Sequence, residues 1–303
     1  MTLSAITGDA DAFLKSEAAA GRFRGAVLLA LKSEVLLRGG YGLANEEWRL
    51  PNTPTTKFRI GSVTKVFTAA AILRLVDAGA IDLAANIGTW LEDLPQAWQS
   101  FTIHQLLTHT AGLRDHLAAP AKPTLNLTGA RPVDLIDLIA REPLLFQPGT
   151  SRSYSNTGYI LLGMLIEKVS NRRYAVYLDD EILRPLELTA TGYDSHSQIL
   201  LERASGYTLQ GDHLQHADFL DMSVPFSAGG LVSTVDDLLR WNTELHGGGL
   251  LSRSSYERMT AQYPETQQED GFYGYGLFIA QTSGYTCLSH SGGVNGFIAV
   301  LQY

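Results

Sequence analysis

The sequence predicts an α+β fold, in which one antiparallel sheet is completed by both chain ends and a large helical region is inserted between them. Three observations lead there. Strand patterning occupies residues 25–42 and returns over 271–303, helical stretches and loops fill residues 80–250, and a long apolar run led by Gly61-Ser62 joins the two regions. At 303 residues and 45% hydrophobic content the chain is ample for a full core. A single domain over 1–303 is expected, with a sheet sub-region at about 1–60 plus 255–303 and a helical sub-region at about 80–250.

The elements follow in order. Residues 9–20 are Ala-rich and closed by Gly21, which reads as a first helix. Residues 25–31, a turn at Lys32-Ser33-Glu34 and residues 35–42 make a hairpin. The Asn52-Thr53-Pro54-Thr55-Thr56 loop then delivers the chain to Gly61-Ser62, and the run that follows has no Gly or Pro before Gly79, so a helix is expected from about Ser62 to Ala78. It is apolar on nearly every face and therefore central. Further helical stretches are read at 102–109 and 133–141, and Ser233-Thr234-Val235-Asp236 caps another over 236–245. Pro120, Pro123, Pro132, Pro143 and Pro148 mark the longer loops of a substrate-facing rim. Strands are expected at 272–280, 285–290 and 297–303.

Composition excludes several functions. With 23 basic and 31 acidic residues the net charge is −8, and no Lys/Arg cluster occurs, so nucleic acid is not expected as a partner. The one cysteine, Cys287, rules out an internal disulfide framework and a cysteine zinc site, and it reads as a buried small hydrophobe. No His-Glu-x-x-His or comparable ligand spacing is present, and no apolar run reaches the length of a membrane span. The first residues carry no basic segment followed by an apolar core, so the expected location is cytoplasmic as written, or periplasmic or secreted where a leader has been removed.

Three stretches carry chemistry. Lys65 follows Ser62 by close to one helical turn, which puts amine and hydroxyl on one face. A serine hydroxyl needs a base within hydrogen-bond reach, and burial in an apolar helix lowers a lysine's pKa enough for it to serve. Free N–H groups at the helix start favour a developing oxyanion. In Tyr154-Ser155-Asn156, on a loop at another helix mouth, a tyrosine can shuttle a proton and an asparagine can hold the lysine or a substrate carbonyl. In His290-Ser291-Gly292-Gly293, at the end of a strand, glycines let a backbone N–H approach a substrate oxygen. Each has a plainer reading when taken alone. Ser62 could be a helix cap with Lys65 solvated, Asn156 a cap with Tyr154 packed against it, and the glycine segment a turn between strands.

Together, these motifs resemble the serine hydrolases related to class C β-lactamases, which include penicillin-recognising esterases, D-amino-acid peptidases and carboxypeptidases. The resemblance covers most of the chain and rests on Ser62-Val63-Thr64-Lys65, Tyr154-Ser155-Asn156 and His290-Ser291-Gly292, in that order. Leu106-Leu107-Thr108-His109-Thr110-Ala111-Gly112-Leu113 and Ser227-Ala228-Gly229-Gly230-Leu231-Val232-Ser233-Thr234 look like the family's framework segments. The resemblance implies a β-lactamase-like fold and an acyl-enzyme formed at Ser62, with Lys65 and Tyr154 sharing the general-base work. It further implies that Asn156 orients the acyl side, that the N–H groups of Ser62 and Gly293 form the oxyanion hole, and that His290 and Ser291 with Gly292 line the leaving-group wall. No metal or organic cofactor is implied, and the substrate would be a small ester, amide, β-lactam or short peptide.

Two departures matter. His290 stands where β-lactamases proper carry a lysine, and a mostly neutral imidazole is a weaker anion partner, which shifts weight from β-lactams to an ester or small amide. The chain also stops at Tyr303 inside a strand, so a C-terminally incomplete domain with an exposed sheet edge is expected. A Ser-His-Asp hydrolase is disfavoured because the Gly-x-Ser-x-Gly turn is missing, and His109 reads as structural. The competing functions are a penicillin-binding or sensor-like module that is acylated with little turnover, and a silent scaffold.

Overall fold

The computed structural model describes residues 3–32, 34–118 and 123–303. Met1 and Thr2, Ser33 of the expected hairpin turn, and Pro120 lie outside the described residues. Helix α1 (Leu3–Ala19) starts earlier than expected and ends before Gly21, whose φ of 73° suits a glycine. The hairpin β1 (Gly25–Leu31) and β2 (Glu34–Tyr41) pairs antiparallel, with Gly25 opposite Tyr41. Short strands β3 (Leu43–Asn45) and β4 (Leu50–Pro51) follow, and β5 (Phe58–Arg59) leads into a 3-10 turn at Gly61–Val63. Helix α2 (Thr64–Asp77) continues from that turn.

The middle of the chain supplies α3 (Ile103–Leu107), α4 (Pro123–Thr128), α5 (Pro132–Asp137), α6 (Asn156–Ser170) and α7 (Tyr174–Leu178). Next come β6 (Gly192–Tyr193), the hairpin β7 (Tyr207–Gln210) and β8 (His213–His216), α8 (Phe226–Gly229) and β9 (Leu231–Ser233). Helices α9 (Val235–Gly247) and α10 (Arg253–Met259) precede β10 (Phe272–Tyr273), β11 (Phe278–Thr282), β12 (Tyr285–Val294) and β13 (Phe297–Gln302). The helical region is thus laced with short strands, including a three-stranded sheet in the order β5-β9-β6.

Helix α2 is the axis of the core, as a sequence apolar on nearly every face predicts: every residue from Thr64 to Leu73 is buried. Phe67 stacks on Trp241 of α9 with ring centroids 3.9 Å apart, and the Thr68 hydroxyl donates to the Ser227 carbonyl at 2.6 Å. These contacts fix α8 and α9 against the helix that begins just after Ser62. Strands do come from both chain ends, but hydrogen bonding divides them. The C-terminal strands form an antiparallel sheet ordered β10-β11-β12-β13, whereas β1 and β2 form their own two-stranded sheet. Helix α9 touches both: Asp236 pairs with Arg38 of β2, and the Asn242 amide donates to the Gln302 carbonyl of β13 at 3.1 Å.

Three local expectations are corrected. The strand read at 272–280 breaks at Gly274-Tyr275-Gly276 because Gly276 has φ of 72° and packs against the Lys65 carbonyl, 2.8 Å from where its Cβ would stand. The strand read at 285–290 runs on to Val294, so His290 to Gly293 lie inside β12 rather than in a turn, with Gly292 opposite Ala299 and Gly293 opposite Ile298. Cys287 is half-buried on that strand instead of fully buried.

Candidate active site

The Gly61–Val63 turn is held against β12 by glycines on both sides. Gly61 has φ of 48°, and a Cβ there would stand 2.8 Å from the Gly293 nitrogen. A Cβ on Gly292 would stand 2.0 Å from the Ile60 carbonyl oxygen and 2.8 Å from the Ser62 nitrogen. Only two backbones free of side chains can come this close. The contact places the N–H groups of Ser62 and Gly293 in one neighbourhood. Ser62 makes no capping bond: the 3-10 turn and α2 are preceded by Ile60 and Val63 respectively, neither with a side-chain cap. Its hydroxyl is half-exposed, and the reading of Ser62 as a plain helix cap falls away.

Lys65, one turn on, is fully buried rather than solvated. Its Nζ lies 3.0 Å from Ser62 Oγ, 2.7 Å from Asn156 Oδ1 and 2.7 Å from the Ala228 carbonyl oxygen. Burial pulls its pKa from 10.5 to about 7, against the opposing pull of the Asp115 carboxylate. Asn156 opens α6 but does not cap it. Its Nδ2 donates to Asp115 Oδ2 at 2.8 Å, and because a carboxylate only accepts, the amide oxygen is left facing the lysine.

Tyr154 reaches Ser62 with its phenol, and Lys65 Nζ lies 4.8 Å from the centre of its ring. Burial is the main cause pushing the phenol well above its ordinary range, so Tyr154 is protonated at neutral pH. His109 packs against the rings of Tyr154, Tyr159 and Tyr273 at 4.4, 5.1 and 4.8 Å. Its Nδ1 accepts from the Ser155 N–H at 3.2 Å and its carbonyl accepts from the Ser153 N–H at 3.1 Å, the structural role the sequence suggests. The loop ahead of α6 is thereby anchored from both sides of Tyr154.

His290 is buried, and its pKa is pushed down to about 3 chiefly by that burial. Its Nδ1 lies 2.6 Å from the Ser291 carbonyl and must donate to it, so Nε2 accepts from the Tyr273 hydroxyl at 2.9 Å. Both ring nitrogens are committed, and the imidazole offers nothing to an anion. Ser291 and Gly293 alternate with His290 and Gly292 along the strand and are exposed.

All the sequence-selected residues, Ser62, Lys65, Tyr154, Asn156 and the run from His290 to Gly293, therefore gather around the Gly61–Val63 turn. Sequence reasoning missed Asp115, the Ala228 carbonyl, Tyr273 and Arg152. Asp115 and Ala228 adjoin or lie within the two framework segments, but neither belongs to a spacing pattern with Lys65. Among the described residues no group of side chains is arranged to hold a metal, and no helix is long and apolar enough to cross a membrane.

Fold and site together define a class, the serine hydrolases of β-lactamase-like fold. The chain belongs to the Beta-lactamase family, whose model matches residues 10–303. PbpX of Bacillus subtilis (strain 168) is 29% identical over 261 residues, covering 86% of this chain and 63% of that protein. The octameric penicillin-binding protein homologue from Pyrococcus abyssi superposes with a TM-score of 0.85 at 29% identity, over 98% of this chain and 70% of that one. A D-amino acid amidase from Ochrobactrum anthropi SV3, complexed with L-phenylalanine amide, gives 0.80 at 26% identity, over 94% and 83% of the two chains. The chain spans less than two thirds of the length of PbpX and of other curated relatives it matches.

Proposed function

We propose that this chain is a serine hydrolase that forms an acyl-enzyme at Ser62 and cleaves small esters, amides or short peptides. The observation that carries this reading is the hydrogen-bond count at Lys65. A neutral amine has two N–H bonds and one lone pair, and two of its three neighbours, Asn156 Oδ1 and the Ala228 carbonyl, can only accept. The lone pair is left for the Ser62 O–H. With a pKa of about 7, a large fraction of Lys65 is in that state at neutral pH.

The steps then balance. The Ser62 proton passes to Lys65 Nζ as Oγ attacks the substrate carbonyl, and the oxyanion lies between the N–H groups of Ser62 and Gly293. As the intermediate collapses, the proton moves from Lys65 through the Tyr154 phenol to the leaving group, and the acyl group stays on Ser62. The high pKa of Tyr154 gives the larger share of the base role to Lys65 and makes Tyr154 the relay. Asn156, held by Asp115, orients the acyl side, and the His290 to Gly293 strand forms the leaving-group wall. Water returns the serine by the reverse path. The similarity to a D-amino acid amidase supports amides among the substrates.

A second reading, a module that is acylated with little turnover, is favoured by the similarity to a penicillin-binding protein homologue. One experiment separates them: intact mass after incubation with a fluorophosphonate and, separately, with a penicillin, for the wild-type chain and Ser62→Ala. A single adduct lost in the variant is expected. Decay of the penicillin adduct would then favour the hydrolase and its persistence the binding module, while adducts retained in Ser62→Ala would sink both.

A further inference from the structure

Arg152 has no part in the steps above, yet it lies two residues before Tyr154 on the loop that enters α6. Its guanidinium stacks on Tyr273, with Cζ 4.5 Å from the ring centre, and its buried Nε has no partner. Among the described residues it forms no ion pair. The other half-buried or buried arginines all meet carboxylates: Arg24 meets Glu46, Arg59 meets Asp194, Arg74 lies 3.7 Å from Glu181, and Arg172 meets Asp180 and Glu181. A half-buried cation without a counter-ion is costly, and burial accordingly draws its pKa down. An unpaired guanidinium on the loop that carries Tyr154 is what a site for an anion looks like before the anion arrives.

The neighbours say where that anion would bind. Tyr273, under the guanidinium, donates its hydroxyl to His290, and the His290 ring lies 6.4 Å from that of Tyr154. Guanidinium, phenol and imidazole therefore form one wall next to Tyr154. His290 is neutral with both nitrogens committed, and Lys65 is engaged by Ser62, Asn156 and Ala228. The charge on this wall must come from elsewhere. We propose that Arg152 is a specificity-determining residue of this site, pairing with a carboxylate carried on the leaving-group side of the substrate. A planar guanidinium fits a carboxylate through two parallel hydrogen bonds, and its cation does not depend on pH in the working range. The wall thus keeps an anion-recognising charge although the strand residue at 290 is a neutral imidazole.

This inference rests on the acyl-enzyme reading, and its test keeps the two apart. The probes are the acetate ester of 3-hydroxybenzoic acid and the acetate ester of methyl 3-hydroxybenzoate, which differ in one negative charge on the leaving group. The quantity read is the ratio of their kcat/KM values, which is unaffected by the fraction of a variant that folds. Arg152→Gln is expected to lower the carboxylate-to-neutral ratio roughly 10- to 100-fold, the range for a lost charge-assisted hydrogen bond. Arg152→Lys should restore part of it, and added salt should lower the wild-type ratio but not that of Arg152→Gln. An unchanged ratio in Arg152→Gln, whatever happens to the two rates, would overturn the assignment while leaving Ser62 chemistry intact. A wild-type chain that hydrolyses neither ester and takes no fluorophosphonate at Ser62 would overturn both.

Discussion

In the proposed mechanism the chemistry turns on Lys65, whose burial carries both a cost and a role. One pKa unit corresponds to about 1.36 kcal/mol, so a fall from 10.5 to about 7 penalises the cationic form by on the order of 5 kcal/mol. The folded state therefore binds fewer protons than the unfolded chain between about pH 7 and 10.5. Stability contributed through this group rises with pH across that window, and the full penalty is present below about 7. Activity follows the neutral amine: the acylation rate should climb as pH rises through about 7 and then level off, an inflection readable by stopped flow with an activated ester. Asp115 sets both the inflection and the geometry. In Asp115→Asn the carboxylate no longer raises the Lys65 pKa, so the inflection should move below 7. The new amide can also donate, which lets Asn156 flip and present Nδ2 to the lysine, and the plateau rate should fall roughly 10- to 100-fold. An inflection that stays in place would show that Asp115 and Lys65 are not coupled.

Among the elements, the Gly61–Val63 turn against β12 has the least room for change. Gly292→Ala would push a methyl to within 2.0 Å of the Ile60 carbonyl oxygen, whereas nothing lies within 4 Å of a Cβ at Gly293. Thermal or urea unfolding should thus show a loss of about 1–3 kcal/mol for Gly292→Ala and within about 0.5 kcal/mol for Gly293→Ala. Equal losses would refute the close approach. This contact also shows how far the sequence reaches. Ser62 with Lys65, and Tyr154 with Asn156, are legible because local spacing is enough to put each pair at a helix mouth. The central place of α2 is legible because no polar face interrupts it. The extension of β12 through Gly292 and Gly293 is not, since two glycines signal a turn unless one knows that another backbone presses against them. The break at Gly274-Tyr275-Gly276 depends likewise on the Lys65 carbonyl it packs on. Asp115 and the Ala228 carbonyl meet Lys65 only through tertiary folding, and no spacing rule singles out a lone Arg152.

At the scale of the whole molecule, the site draws on residues from 62 to 293, so its geometry depends on how the helical region is fastened to the turn that bears Ser62. A buried carboxylate provides one such fastening. Asp194, just after β6, accepts from Arg59 Nε at 2.7 Å and from an Arg203 terminal nitrogen at 2.7 Å, with side-chain exposures of 1%, 10% and 35% respectively. Arg59 in turn ends β5 and lies over the Phe297 ring of β13, with its Cζ 5.9 Å from the ring centre. One carboxylate therefore joins the middle of the chain to the strand entering the active turn and, through Arg59, to the C-terminal sheet. The two arginines should not count equally. Removing Asp194 strands the Arg59 guanidinium in the interior, and Asp194→Ala should cost about 3–5 kcal/mol in urea unfolding. Arg203 is a third exposed, so Arg203→Ala should cost about 1 kcal/mol or less, because Asp194 keeps its buried partner. If Asp194→Ala cost no more than Arg203→Ala, water must already reach Arg59, and the hold of the helical region on the Ser62 turn would have to come from the β5 to β9 pairing and from the contacts of Lys65, Phe67 and Thr68 with Ala228, Trp241 and Ser227.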